Sequence, residues 1–143
     1  MLAARAQFAA TFAPWVDAVE PRLSYDIAAA IANASRISHD ARRPAQAFRG
    51  EIRARLDALL QQRRVLCLPT TPFPAPLRDL TLKQAAGACN RIVDLTCIAL
   101  VRGLPQVSLP LAECEGLPVG LSLIGWRGCD CALLALAARL GGA

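Results

Sequence analysis

Lysine and histidine are almost missing from this sequence: Lys83 and His39 are the single examples of each. A site built from several histidines is therefore excluded, and no Cys-x-x-Cys pair is present to make up a zinc ligand set. No GxGxxG fingerprint and no P-loop occur, so neither a dinucleotide nor a nucleotide-triphosphate cofactor is expected, and no other cofactor is implied. The nucleophile-elbow pattern GxSxG is missing as well. No apolar run approaches the ~20 residues needed to span a bilayer. The first five residues resemble the start of a secretory signal, but Gln7, Pro14, Asp17 and Glu20 break any apolar core behind them. The expectation is a soluble, cytoplasmic chain without an address label and without a membrane partner.

Apolar residues are plentiful instead. They make up 55% of 143 residues, against 19% charged, with mean hydropathy +0.36. That is enough for a core and excludes wholesale disorder. The surplus implies that the chain packs against something or is a piece of something larger. The net charge is +5. The basic excess lies in residues 1–64, yet no Lys/Arg run exceeds two, so a solvated helix face explains it better than a nucleic-acid surface. A basic helical nucleic-acid module would bind with a steep salt dependence. Six cysteines, at 67, 89, 97, 114, 129 and 131, sit in or near apolar stretches. In a core-rich chain they read as reduced, buried thiols, not as disulfides or a metal site.

The first 64 residues read as helical. An Ala-rich helix over 3–19 is expected to be interrupted at Pro14. Ser24 reads as the N-cap of a helix over 25–38, with Ile27, Ile31, Ala34 and Ile37 on one face. A third helix is expected to start near Pro44, with the stripe Phe48, Ile52, Leu56 and Leu59/Leu60. Residues 65–143 read as sheet-forming. The run Val65–Leu68 suits a strand buried on both faces in a parallel or mixed sheet. Four prolines within 69–76 impose an extended loop. Thr81-x-x-Gln84 fits a capping box opening a helix to about Cys97. Strands at 106–109 and 118–124 flank a polar turn at 113–116, and a last helix runs from Asp130, as cap, to Leu140. Its inward residues are Leu133, Leu136/Ala137 and Leu140. Three short strands are too few for a stable large sheet, so further chain is expected to complete it.

Catalytic constellations are scarce. None of Ser24, Ser35, Ser38, Ser108 and Ser122 sits in GxSxG, and Ser122, in a segment that lacks a nearby base, reads as a strand residue. Glu113 and Glu115 read as a solvated turn. Lys83, in the first turn of a helix, reads as exposed.

Four elements then add up in order and spacing. Val65-Leu-Cys-Leu-Pro-Thr-Thr-Pro-Phe-Pro-Ala-Pro76 resembles the strand-plus-proline element of the amidase signature family. Gly103-Leu-Pro-Gln-Val-Ser-Leu-Pro110 and Gly116-Leu-Pro-Val-Gly-Leu-Ser-Leu-Ile-Gly125 resemble two Gly-Leu-Pro motifs of that family, and residues 130–140 resemble its closing helix. Residues 1–64 fit only loosely. Where some members carry Asn three residues before the first motif glycine, this chain has Leu100.

The resemblance covers the C-terminal part of a much longer family. It implies an α/β fold: the C-terminal part of an α/β/α sandwich with a mixed sheet, here helices followed by strand–helix–strand–strand–helix, in a single partial domain over 1–143. It implies hydrolysis of a small-molecule amide (C–N) bond through a Ser–cis-Ser–Lys triad lying outside this chain. No serine here matches a triad serine, and Lys83 does not match the triad lysine, so no catalytic residue carries over and the chain alone is expected to be inactive. One binding role carries over. In the family the helix before the first Gly-Leu-Pro motif lines the acyl side of the substrate pocket, and Asn90, Val93, Asp94 and Cys97 share a face of it. Packing of that face on the sheet is the competing reading. The alternative to a severed enzyme is a non-catalytic subunit docking onto a triad-bearing partner, the N-terminal amidase portion.

Overall fold

The computed structural model describes residues 2–142. It contains five α-helices and one three-stranded sheet: α1 (Leu2–Val19), α2 (Tyr25–Ser35), α3 (His39–Leu59), β1 (Leu66–Pro69), α4 (Leu82–Arg102), β2 (Gln106–Cys114), β3 (Leu117–Ile124) and α5 (Asp130–Gly141). A 3-10 turn at Gln61–Arg63 joins α3 to β1. The chain divides into two compact units, with the boundary between Ile52 and Arg53, inside α3.

In the first unit α1 packs on α2. Pro14 does not interrupt α1, contrary to expectation. A proline inside a helix removes one N–H donor, and the helix runs on through the missing bond. Phe8 and Phe12, one turn apart, bring their rings to 4.6 Å. Helix α2 starts after Ser24 but ends at Ser35, so Ile37 lies beyond it; Ser24 makes no side-chain cap bond. Of the expected stripe Ala34 is buried at 2% exposure and Ile27 is exposed. Helix α3 begins at His39, five residues before Pro44, which lies within it.

The second unit holds the sheet, in the order β1-β3-β2. Both pairings to β3 are antiparallel. As an edge strand, β1 is half-buried at Leu66 and Leu68 and exposed at Cys67, not buried on both faces. The β2–β3 hairpin closes on Glu115-Gly116, with φ of 54° and 76°. Positive φ at both central residues is the twist-matched two-residue turn. Strand β2 continues past Leu109 to Cys114, through a register shift between Leu109 and Ala112. Pro110 stands in that shift, where a residue without an N–H leaves no ladder bond unmade.

Alternation along the strands sorts their side chains onto two faces. Leu123, Val107 and Leu109 pack with Cys129, Leu133 and Ala137 at α5. Ile124, Leu66 and Leu68 pack on the opposite side with Leu60, from the end of α3, and with Ile98 and Ala99 of α4. The arrangement is helix, sheet, helix. Ile124 is fully buried, Leu123 and Leu133 are 3% exposed, and Trp126 packs against both clusters. The expected stripe is inward at Leu56 of α3 and at Leu60 just after it, while Phe48 and Leu59 are exposed.

Helix α4 opens on the expected capping box: the Gln84 N–H donates to Thr81 Oγ1, and the Gln84 side chain accepts from the Thr81 N–H at 3.0 Å. It extends beyond Cys97 to Arg102. The stop is Gly103, left-handed at φ 71°, whose N–H donates to the Ala99 carbonyl at 2.8 Å. In α5 the cap is Cys129, with Asp130 the first helical residue, and Leu140 faces outward at 48% exposure. The cysteines are all free, but only Cys129 is buried; Cys97 is half-buried and Cys67, Cys89, Cys114 and Cys131 are exposed.

Gly125 sits where any side-chain carbon would collide with the Sγ of Cys129 and touch Leu133. Gly125→Ala should destabilise the chain by about 1–3 kcal/mol through overpacking. Adding Cys129→Ala should recover part of that loss, a non-additivity that thermal or urea unfolding of the four variants would measure.

Candidate functional site

Helix α4 carries the four residues expected to line a pocket. Asn90 and Asp94 are exposed, and Val93 and Cys97 are half-buried. The Cys97 thiol donates to the Asp94 carbonyl at 3.5 Å, a bond within the helix. At 100° per residue the stripe 90, 93, 94, 97 is centred about 130° from the stripe 91, 95, 98, 99, 102. The second stripe carries side-chain contacts to the rest of the unit. Arg91 lies over the Phe73 ring at 5.0 Å, Ile98 and Ala99 enter the core, and Arg102 Nε donates to Asp57 Oδ1 at 2.7 Å. Asn90, Val93, Asp94 and Cys97 lie on another face, Val93 and Cys97 half-buried there and Arg53 Nε donating to the Val101 carbonyl on the same side at 2.8 Å. Two clefts of the second unit, about 410 Å³ and about 140 Å³, are lined by other residues.

A second constellation escaped the sequence reading. On the α4 side of the sheet, Thr70 Oγ1 lies 2.6 Å from Ser108 Oγ and 2.8 Å from Ser122 Oγ. The Gln106 Nε2 group donates to Ser122 Oγ at 2.8 Å. Three chain segments converge because the register places Ser108 opposite Ser122 and Leu68 opposite Ser122. Thr70 follows in the same alternation, its N–H donating to the Gly120 carbonyl at 2.7 Å. Gly120 makes the room: a Cβ there would fall 2.7 Å from Ser108 Oγ and 2.8 Å from Thr70 Oγ1. The signal was present in the alternation Gly120, Leu121, Ser122, Leu123, which sets small and polar residues on one face.

Chemically this cluster is closed. Ser122 is fully buried, and its partners are a hydroxyl and a carboxamide. A serine becomes a nucleophile only beside a base, and neither partner can take its proton. Lys83 is exposed on the first turn of α4. Cys129 is no better a nucleophile: burial pushes its thiol pKa up, and the neighbouring Asp130 carboxylate pushes it the same way. The arrangement is that of a scaffold with a hydroxyl lock.

Comparison with known proteins places the chain in a family. The family model described as Amidase matches residues 8–134. Amidase 1 of Oryza sativa subsp. japonica is 35% identical over 131 residues, covering 91% of this chain and 30% of the rice protein. Outer envelope protein 64, chloroplastic, of Arabidopsis thaliana is 28% identical over 130 residues, covering 91% of this chain and 22% of that protein. A crystal structure of an amidase superposes with a TM-score of 0.71 at 26% identity, over 96% of this chain and 33% of the other. The chain thus spans about a third of these proteins' length or less, and it corresponds to their C-terminal part. No helix among the described residues is long and apolar enough to cross a membrane.

Ser122→Ala would leave Thr70 and Gln106 each short of a partner inside the unit. It should cost about 1–3 kcal/mol. Ser108→Ala removes only an exposed end of the chain of hydroxyls and should cost less than half as much. Urea unfolding midpoints of the two variants decide between this order and its reverse.

Proposed function

The chain belongs to the amidase family, and from that membership we propose that it is the C-terminal segment of an amidase-signature hydrolase of carboxamide C–N bonds. In the complete enzyme a serine outside these residues attacks the amide carbonyl. The amine leaves with a proton relayed by the second serine and the lysine, and water then releases the acid from the acyl-enzyme. Backbone N–H groups hold the developing oxyanion. The present residues supply scaffold, as part of a single domain, in an enzyme of the cytoplasm. The observation that carries this reading is coverage: 91% of this chain matches 30% of a rice amidase. The closed environment of Ser122 and the exposure of Lys83 support the further point that the chain alone is inactive.

The same reading gives Asn90, Val93, Asp94 and Cys97 the wall of the acyl pocket. Their support is the position of this stripe, on a face other than that of Arg91, Ile98, Ala99 and Arg102. A second reading, a non-catalytic subunit that docks onto a triad-bearing partner, is favoured by the exposure of Leu77, Leu82 and Leu100, at 74%, 85% and 65%. Exposed leucines of that extent want a cover.

The purified chain should hydrolyse simple amides, such as benzamide, no faster than buffer. Turnover that survives repurification would contradict the assignment of the triad to residues outside this chain. Co-purification with a separate Gly/Ser-rich chain would move the docking reading to first place, and a stable monomer would count against it.

A further inference from the structure

We propose that the larger cleft of the second unit is a binding site for a small apolar carboxylate, an aryl- or alkyl-substituted acid. Its chemistry does not depend on the amidase reading. The cleft has a volume of about 410 Å³, and its lining includes Leu60, Leu104, Trp126, Asp57, Arg63 and Arg127. That is the size of a small-molecule site. Its apolar part is anchored in the core: Leu60 is 3% exposed, and Leu104 and Trp126 pack against the buried cluster around Ile124. A rigid indole at the wall offers a flat surface to an apolar body.

The charges are unequal. Asp57 is already answered, since Arg102 Nε donates to its Oδ1 at 2.7 Å. Arg63 and Arg127 are exposed and have no hydrogen-bond or ion-pair partner among the described residues. Two arginines therefore line one cleft whose single carboxylate is already paired with Arg102. Planar guanidinium forks match carboxylate oxygens in pairs. Arg63 is also held at φ 61°, left-handed backbone that a non-glycine residue adopts at a cost. It is pinned there between the buried Leu60 and strand β1, with the Arg64 N–H donating to the Gln61 carbonyl at 3.4 Å. The apolar wall selects against a bare inorganic anion, which would leave Trp126 and Leu104 wet. The arginines favour a carboxylate over a neutral isostere, which offers them no charge to pair with.

The test uses the full chain carrying Trp15→Phe, so that Trp126 is the only indole. Its fluorescence is titrated with 3-phenylpropanoate, with 3-phenylpropanamide and with sulfate. Saturable change with the carboxylate is expected, with the amide about tenfold weaker or more, as loss of a charge-assisted pair implies. Arg127→Gln should weaken carboxylate binding about tenfold. Arg63→Gly removes the second guanidinium while relaxing the backbone, so it should weaken binding with the thermal midpoint unchanged or raised. Absence of saturation, equal binding of acid and amide, or saturation unaltered in both variants would overturn the proposal.

Discussion

Strand β3 is the constraint on which the second unit depends. It pairs on both edges, and its end residues are covered on both faces: Ser122 and Ile124 are fully buried and Leu123 is 3% exposed. Burying Leu123 and Ile124 stabilises the fold by about 1.5–3 kcal/mol each. Their opposite directions matter as much as the sum. Leu123 draws α5 onto one face, and Ile124 draws the end of α3 and the second half of α4 onto the other. A slip of one residue would exchange the two sets and leave Ser122 facing leucines.

The register is guarded by two glycines that act through what surrounds them. At Gly120 two hydroxyls occupy the space of a side chain, and at Gly125 the Cys129 sulfur does. The hydroxyl lock then ties β2 and β3 to Thr70, the residue after β1. It explains why a serine with no base beside it is buried so completely, and it gives the Gly-Leu-Pro segments a physical purpose in strand pairing.

Much of this was legible in the chain, and the failures have physical reasons. Thr81 and Gln84 announced α4 because a capping box is a local, reciprocal pair of bonds. Gly103 is the stop of that helix, which runs past Cys97 because nothing at 98–102 breaks a helix. Pro14 and Pro44 misled in the same way: each removes a single donor, which neighbouring turns tolerate. The cysteines misled because apolar neighbours in sequence do not ensure burial on an edge strand or a helix flank. The stripe at 90, 93, 94 and 97 of α4 was readable as a face, but which face packs is a tertiary fact, decided by Phe73, Asp57 and Ile124. The hydroxyl cluster needed the register of three segments, which no local pattern specifies.

The second unit is organised around one strand, β3. Amide hydrogen exchange of the full chain tests that organisation most directly. The slowest amides of the second unit should lie at Leu121–Ile124, exchanging only through global opening of that unit. Exchange at those positions no slower than in the β1 and β2 segments at the sheet edges would contradict it.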